Sequence, residues 1–497
     1  MHDDSTTDEV HHAEPPTQST SSVPRAATWS VWTLFLASLG VLGLTAWGGH
    51  EWVLPDALVI DGLTAVMWVV VTFFSGIVHS YSRRYMAGDR DLNWFYGRIF
   101  AFTLVVMTLT AADHVALFAL AWLGMGLAMA SLIGHVREWT QARSAASLAR
   151  RYFAASSALL AGSLGVLVWA TGATTVTGIL GGLEGASTTV LLVAASGILL
   201  AAMLQSALFP FHNWLLSSMT APTPASALMH AGFVNAGGVL LTRFAPVVGE
   251  ELLFMSVIVI VGAFSALLGQ AMLLVQTDVK RELGSSTIAQ MGFMIMQCGL
   301  GFFAAAIAHL ILHGFYKAYL FLSSGASVEH TAPKHAERTH LGFPGLAVSL
   351  LTAVGAGVLF MALTGKLSDL ALTLDSGLVL TVVVVLTTLT AARDILRRST
   401  LPTSVRFVSV PLVVLVAISG YAIAFNAVST MLADVPMAYA PTDLTVAHYL
   451  VVALFVSAYL ATELAWHRSS ERLYVSLLNV SQPAPSTILT DKEEYDK

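Results

Sequence analysis

Apolar residues in this chain gather in long unbroken runs, with neither the period-2 nor the period-3.6 spacing of half-buried elements. The runs lie near 29–49, 63–80, 94–111, 113–134, 151–170, 190–219, 225–245, 252–276, 286–300, 302–325, 344–364, 376–392, 406–426 and 446–466. Most come close to the roughly 20 residues that a helix needs to cross a bilayer. The pattern predicts an all-α polytopic membrane protein of about 14 transmembrane helices. Residues 1–27 are polar, acidic and rich in Pro, Ser and Thr, which reads as a disordered cytoplasmic tail rather than a signal peptide. Residues 28–470 form the transmembrane domain and 471–497 a cytoplasmic C-terminal tail, disordered from about Ser481 onward.

Loop charges orient the runs, because cytoplasmic loops carry the excess of Lys and Arg. Arg83, Arg84 and Arg90 follow the second run, and Arg137, Arg143, Arg150 and Arg151 the fourth. Lys280 and Arg281 follow the eighth, Lys334 and Arg338 the tenth, and Arg393, Arg397, Arg398 and Arg406 the twelfth. His467, Arg468 and Arg472 follow the last. The odd loops hold Glu51, Asp56, Glu184, Glu250, Glu251, Asp434 and Asp443, with Lys366 and Arg243 as the main exceptions. An even number of spans with both termini cytoplasmic, in the cell inner membrane, is the expected topology.

Composition narrows the function classes. The 497 residues are 56% hydrophobic and 11% charged, against roughly 25% charged in a soluble domain. Lys+Arg 24 against Asp+Glu 30, with no basic cluster, excludes a nucleic-acid partner and leaves the lipid bilayer as the first one. A single cysteine, Cys298, excludes disulfides, cysteine-ligated zinc and iron–sulfur clusters, and no G-x-G-x-x-G occurs. No cofactor, metal or enzymatic chemistry is expected in this chain; if it works on ions, the rest of the chemistry comes from outside it.

An ionisable side chain at the bilayer centre costs about 2.5–3.5 kcal/mol on insertion scales, so its presence is a functional hypothesis. Three stretches qualify. In LQSALFPFHNWLLSSMTAPTPASALMHAGFVNAGG (204–238), Pro210 interrupts an apolar run and predicts a broken helix. Pro222 and Pro224 then open the next helix, which carries His230 about two turns in. An isolated Pro or His would read as a packing kink or a hydrogen-bonded core group; the cluster of Gln205, His212, Asn213, His230 and Asn235 around one break weighs against that. In AHLILHGFYKAYLFLSSG (308–325), His309, His313 and Lys317 stand at i, i+4 and i+8 on one helical stripe. The stripe covers about 12 Å of depth, a spacing suited to a water-linked proton relay. A metal reading of H-x-x-x-H is weaker, since zinc would want a third ligand. In QTDVKRELGSSTIAQMGF (276–293), Asp278 and Lys280 read as a solvated, capped helix start with an accessory role at most. Asp61, at a helix start, is another accessory candidate.

The stretches FPFHNWLLSSMTAPTPASALMHA (209–231) and TDVKRELGSSTIAQMGF (277–293), with the His309–His313–Lys317 pattern, resemble the antiporter-like subunits of respiratory complex I and of multisubunit cation/proton antiporters. DGLT at Asp61 and HSYSRRYM at His79 look like the chain-5 type, and the likeness covers roughly residues 55–330. HAGFVNAGGVLLTRFAP (230–246) is most similar to the DabB family, membrane subunits of an inorganic carbon accumulation system. The resemblance implies an antiporter-like fold and a large soluble zinc-containing partner, DabA-like, which would hydrate CO2 one way at the expense of an ion gradient. Three departures stand out. The superfamily's W-E-G reads Trp122-Leu123-Gly124, its G-K-S-A-Q reads Leu204-Gln205-Ser206-Ala207-Leu208, and its N-R-x-G-D reads Ala155-Ser156-Ser157-Ala158-Leu159. Charges have gone in pairs, which can be neutral, whereas removing one member of a buried pair costs about 3–5 kcal/mol.

The leading expectation is an ion-conducting, energising subunit, with the proton as the expected ion, whose path uses His230, His309, His313 and Lys317. Its rivals are a subunit of a cation/proton antiporter or of a respiratory NADH-quinone oxidoreductase, and a non-conducting anchor for a soluble enzyme.

Overall fold

The computed structural model describes residues 22–49, 51–330, 342–365, 375–398, 402–464 and 470–488. Lys334, Arg338, Lys366, His467, Arg468 and most of the expected N-terminal tail lie outside them. The chain begins with α1 (Val23–Gly48), a small antiparallel hairpin of β1 (Trp52–Leu54) and β2 (Leu58–Ile60), and α2 (Gly62–Tyr85). Next come α3 (Leu92–Ala111), α4 (Val115–Ile133), α5 (Thr140–Thr171), the short α6 (Val176–Gly181) and α7 (Thr188–Gln205). A broken passage holds α8 (Asn213–Ser217), α9 (Thr223–Ala231) and α10 (Ala236–Arg243), followed by one-turn α11 (Ala245–Val248). The second half comprises α12 (Leu252–Leu273), α13 (Val279–Gly299), α14 (Phe303–His330), α15 (Phe343–Leu363), α16 (Gly377–Arg398), α17 (Thr403–Met431), α18 (Val446–Glu463) and α19 (Glu471–Val480).

Among the described residues, 13 helical stretches are long and apolar enough to cross a membrane, α9 and α10 counting together as one. The remaining expected run is α13, whose first turn carries Lys280, Arg281 and Glu282; its 21 residues still rise about 30 Å. Its partner α12 explains why so polar a helix sits inside. A Cβ added at Gly262 or Gly269 of α12, or at Gly292 or Gly299 of α13, would overlap the facing helix's backbone. In lipid, where apolar burial gives no drive between helices, small residues that let backbones touch supply the packing.

Burial is graded from the middle outward. In the α9–α10 stretch 89% of the spanning window is buried, against 17% in α1 and 11% in α18. The exposed faces of the outer helices are Leu, Val, Ile and Trp, as lipid requires. Arg393, which the sequence left without a role, joins α16 to α18: its guanidinium meets Glu463 at 2.8 Å and donates to Tyr459 Oη at 2.9 Å, while Arg397 reaches the same carboxylate at 3.0 Å.

The C-terminal segment differs from expectation as far as Ile488. Instead of trailing off from Ser481, residues 470–488 form α19 and a strap that lies against the broken passage. Ala484 N–H and Thr487 Oγ1 hydrogen-bond Ser217 Oγ at 3.0 and 3.1 Å, and the Val480 carbonyl meets His212 Nε2 at 3.0 Å.

Candidate functional site

Helix α14 presents its polar residues in a buried stripe. His309, His313 and Lys317 are all buried, with Lys317 fully so. Successive positions four apart stack along one face of a helix, and the two imidazoles lie nearly parallel, with centroids 5.9 Å apart. The His309 ring packs on Phe293 of α13 at 5.3 Å. One turn beyond His313, Lys317 Nζ donates to the Leu283 carbonyl of α13 at 2.9 Å.

That carbonyl also joins His230 to the stripe. Thr287 Oγ1 donates to it at 2.8 Å and meets His230 Nδ1 at 2.9 Å. A hydroxyl has one proton to give; with Thr287 donating to Leu283, His230 must donate from Nδ1, which leaves Nε2 as an acceptor. The His230 ring is stacked on Phe321 of α14 at 4.3 Å. His230, His309, His313 and Lys317 therefore form one cluster, joined by the stacked rings, Thr287 and the Leu283 carbonyl. His230 Nε2, His309 Nε2 and His313 Nε2 have no protein partner among the described residues. Buried polar atoms are nearly always paired, so three such imidazole nitrogens in one cluster are exceptional.

The break falls where Pro210 predicts, and it is wider than one residue. Helix α7 ends at Gln205, and residues 206–212 are non-helical, with a cis peptide bond between Phe209 and Pro210. The Leu204 carbonyl, freed by the break, is taken by Trp214 Nε1 at 2.9 Å. Both amide atoms of fully buried Gln205 lack protein partners among the described residues. His212 turns to Val480 and Asn213 opens α8, so neither hydrogen-bonds the stripe. A second break separates α9 from α10 at Gly232, and the sequence reading missed it; Asn235 lies there, its Nδ2 donating to the Ala231 carbonyl at 2.8 Å and its Oδ1 unpaired.

The accessory candidates hold the edges. Asp278 caps α13 through Arg281 N–H at 2.9 Å. Lys280 Nζ donates to the carbonyls of Met219 and Ala221 at 3.3 and 3.2 Å, tying the α8–α9 connection to α13. Asp61 caps α2 through Thr64 N–H at 2.8 Å and is paired with Arg243 at the end of α10. Arg243 also donates to Thr64 Oγ1 at 3.1 Å and to the Thr110 carbonyl at 3.0 Å. Its placement in an acidic loop region, anomalous in the charge pattern, is thus explained by a buried ion pair. Glu51, ahead of the hairpin, lies outside the spans; burial first, then Asp61 and Asp434, pushes its carboxyl above the ordinary range while Arg243 pulls the other way.

Around Trp122 and Ser156 the buried polar groups make neutral contacts. Trp122 Nε1 donates to Ser156 Oγ at 3.0 Å, and Ser156 donates to the Ala201 carbonyl at 2.9 Å, linking α4, α5 and α7.

Residues 112–366 match the transmembrane family described as NADH:quinone oxidoreductase/Mrp antiporter, and residues 51–96 match the N-terminus of chain 5 of NADH-ubiquinone oxidoreductase (complex I). The chain belongs to this antiporter-like family. It is 37% identical over 302 residues to the "Probable inorganic carbon transporter subunit DabB1" of Halothiobacillus neapolitanus, covering 59% of this chain and 52% of that protein. It is 36% identical over 315 residues to NADH-quinone oxidoreductase subunit L of Mycobacterium tuberculosis, covering 62% and 49%. The chain spans about half the length of these curated relatives. A chain in the structure of the Mrp complex from Dietzia sp. DQ12-45-1b shares the fold at a TM-score of 0.57 and 23% identity, over 93% of this chain and 51% of that one. The family match reaches residue 366, beyond the motifs that end near residue 330.

Proposed function

We propose that this antiporter-like chain is the ion-conducting membrane subunit of an inorganic carbon accumulation complex. The observation that carries the proposal is the buried His309–His313–Lys317 stripe joined to His230 through Thr287 and the Leu283 carbonyl. A proton arriving on the stripe changes the charge beside His230, on the broken passage. That passage is tied to α13 by Lys280 and to the C-terminal strap by His212 and Ser217. A change of charge at the stripe thus has a mechanical route to a partner docked on the face that carries the basic loops, which is the cytoplasmic face of the inner membrane in this reading. The partner is a large soluble DabA-like subunit holding zinc, and CO2 hydration takes place there. The similarity to proteins named inorganic carbon transporter subunits supports the choice of complex.

The test has two arms. Affinity purification in mild detergent should bring down one large soluble chain containing zinc. In vesicles of that complex, Lys317→Ala should abolish ion-gradient-driven carbon uptake while assembly is retained; full activity in the mutant would remove Lys317 from the path. Full activity after joint replacement of His309, His313 and Lys317 would favour an anchor without conduction.

The similarity to a respiratory subunit keeps a second reading in view. Copurification of several hydrophobic antiporter-like or redox subunits, with sodium- or potassium-dependent proton exchange, would replace the carbon reading with that one. The lost charges beside Trp122 and at Gln205 weigh against it.

A further inference from the structure

The stripe on α14 runs out of chemistry before it reaches the acidic face. Lys317, His313 and His309 are followed, at the same four-residue step, by Ala305 and then by Gly301 in the α13–α14 turn. We infer that Gln297 of α13 and Tyr421 of α17 take over there and carry the path from His309 toward the face bearing the acidic loops. The inference rests on the proposed conduction along the stripe.

Helices α13 and α14 run antiparallel through the turn at Leu300–Phe302. Phe293 of α13 touches the His309 ring, so positions on the facing sides are in register there. Gln297 is one helical turn past Phe293 on the same face, about 6 Å nearer the turn, and stands opposite Ala305. Gln297 is fully buried; its Nε2 donates to Tyr421 Oη at 3.1 Å, and its Oε1 has no protein partner. His309 Nε2, one turn deeper, is in the same condition. Leaving a buried acceptor unpaired is costly, and an apolar residue at position 297 would avoid that cost.

The roles follow from the donor and acceptor inventory. An amide does not take up a proton at neutral pH, so Gln297 is a positioning residue: its Oε1 holds a water between His309 and Tyr421. That water receives the proton from the His309 imidazolium and passes one of its own to Tyr421 Oη. The phenol gives up its original proton on the far side, so each carrier ends neutral with as many O–H bonds as it had. Beyond it, the turn is covered by the segments around residues 375–377 and 438–443. Ser376 Oγ donates to the Leu300 carbonyl at 2.7 Å and Ala440 N–H to that of Gly301 at 2.9 Å, while the backbones of Asp375 and Asp443 bridge the two segments. Tyr421, Asp375 and Asp443 lie beyond the family match, which ends at residue 366.

The experiment uses the whole complex in proteoliposomes with a trapped pH-sensitive dye. Gln297→Leu should slow proton flux by at least about tenfold, a modest share of what a positioned proton-transfer group contributes. Gln297→Glu, which keeps the acceptor oxygen, should restore most of it, and Tyr421→Phe should show a loss of similar size. Thermal unfolding of each variant is recorded in parallel. Wild-type flux in Gln297→Leu would overturn the inference. A loss that tracks lowered stability and is not rescued by Gln297→Glu would also overturn it, making the pair a clamp between α13 and α17. Lys317→Ala in the same assay separates the two levels: flux lost there but intact in Gln297→Leu rejects only the extension, whereas flux intact in Lys317→Ala rejects the conducting stripe itself.

Discussion

Two groups of buried polar side chains in this molecule are treated in opposite ways. Around α4, α5 and α7, the indole of Trp122, the hydroxyl of Ser156 and the Ala201 carbonyl form a closed neutral chain, in which Trp122 and Ser156 each find an acceptor. Around α9, α13 and α14, three histidines and a lysine crowd together, and each imidazole keeps a nitrogen without a protein partner. Satisfying a buried group is the cheap solution, and leaving several unsatisfied in one place persists only where something compensates. In the proposed function, the first region is structure and the second a path. Gln205 lies at the seam: it belongs to α7, yet its amide is as unpaired as the histidines. The Asp61–Arg243 pair shows that charge alone does not mark a path, because it is buried, bidentate and further bonded to Thr64 and Thr110.

The largest effect on stability is expected at that pair. Arg243→Met leaves Asp61 buried and facing no cation, which should cost about 3 kcal/mol, at the low end for breaking a buried pair because Thr64 N–H still caps the carboxylate. Asp61→Asn keeps the cap, so the double variant Asp61→Asn/Arg243→Met should recover part of that loss. Thermal unfolding of all three variants in detergent gives the coupling directly. If Arg243→Met is as stable as the parent, the pair is not structural, and the distinction between paired and path charges fails at its clearest point.

Much of this contrast was legible in the sequence, for definable reasons. Runs of about 20 apolar residues are set by bilayer thickness, so the helices could be counted from hydropathy alone. The i, i+4, i+8 spacing of His309, His313 and Lys317 fixes one face of one helix whatever surrounds it. Pro210 announces a break because it lacks an N–H. What stayed hidden depends on contacts between distant segments. Arg243 showed only as an anomaly of loop charge, since its partner lies 182 residues away. Thr287 and the Leu283 carbonyl, which join His230 to Lys317, are an ordinary hydroxyl and a backbone group. The second break, at Gly232, has no proline to signal it. The strap after α19 is polar enough to pass for a tail, and only its hydrogen bonds to Ser217 and His212 show that it is folded.

A smaller effect, and a direct probe of the first region, is expected from Ser156→Ala. It strands the Trp122 indole N–H in the interior and should cost about 1–3 kcal/mol of stability. Proton flux, measured beside Lys317→Ala, should be unchanged. A flux loss comparable to that of Lys317→Ala would mean that protons still cross between α4, α5 and α7, and the two regions would have to be read as one path.

The smallest effect concerns the strap, which belongs to neither region but rests on the passage between them. Thr487 is buried and its hydroxyl sits between Ser217 Oγ at 3.1 Å and the Ala484 carbonyl at 2.7 Å. Thr487→Val keeps the shape and removes the hydroxyl. Ser217 retains the Ala484 N–H, so the expected cost is that of a single hydrogen bond, about 0.5–1.5 kcal/mol. Global unfolding will barely register it, whereas hydrogen exchange at the Ala484 amide should, because local opening of the strap reports that energy without the rest of the fold. Faster exchange at Ala484 with α8 unchanged would show a strap that docks on a rigid passage. If exchange also quickens in α8, the strap helps to hold the broken helix in place, and the passage takes part of its stability from the C-terminus.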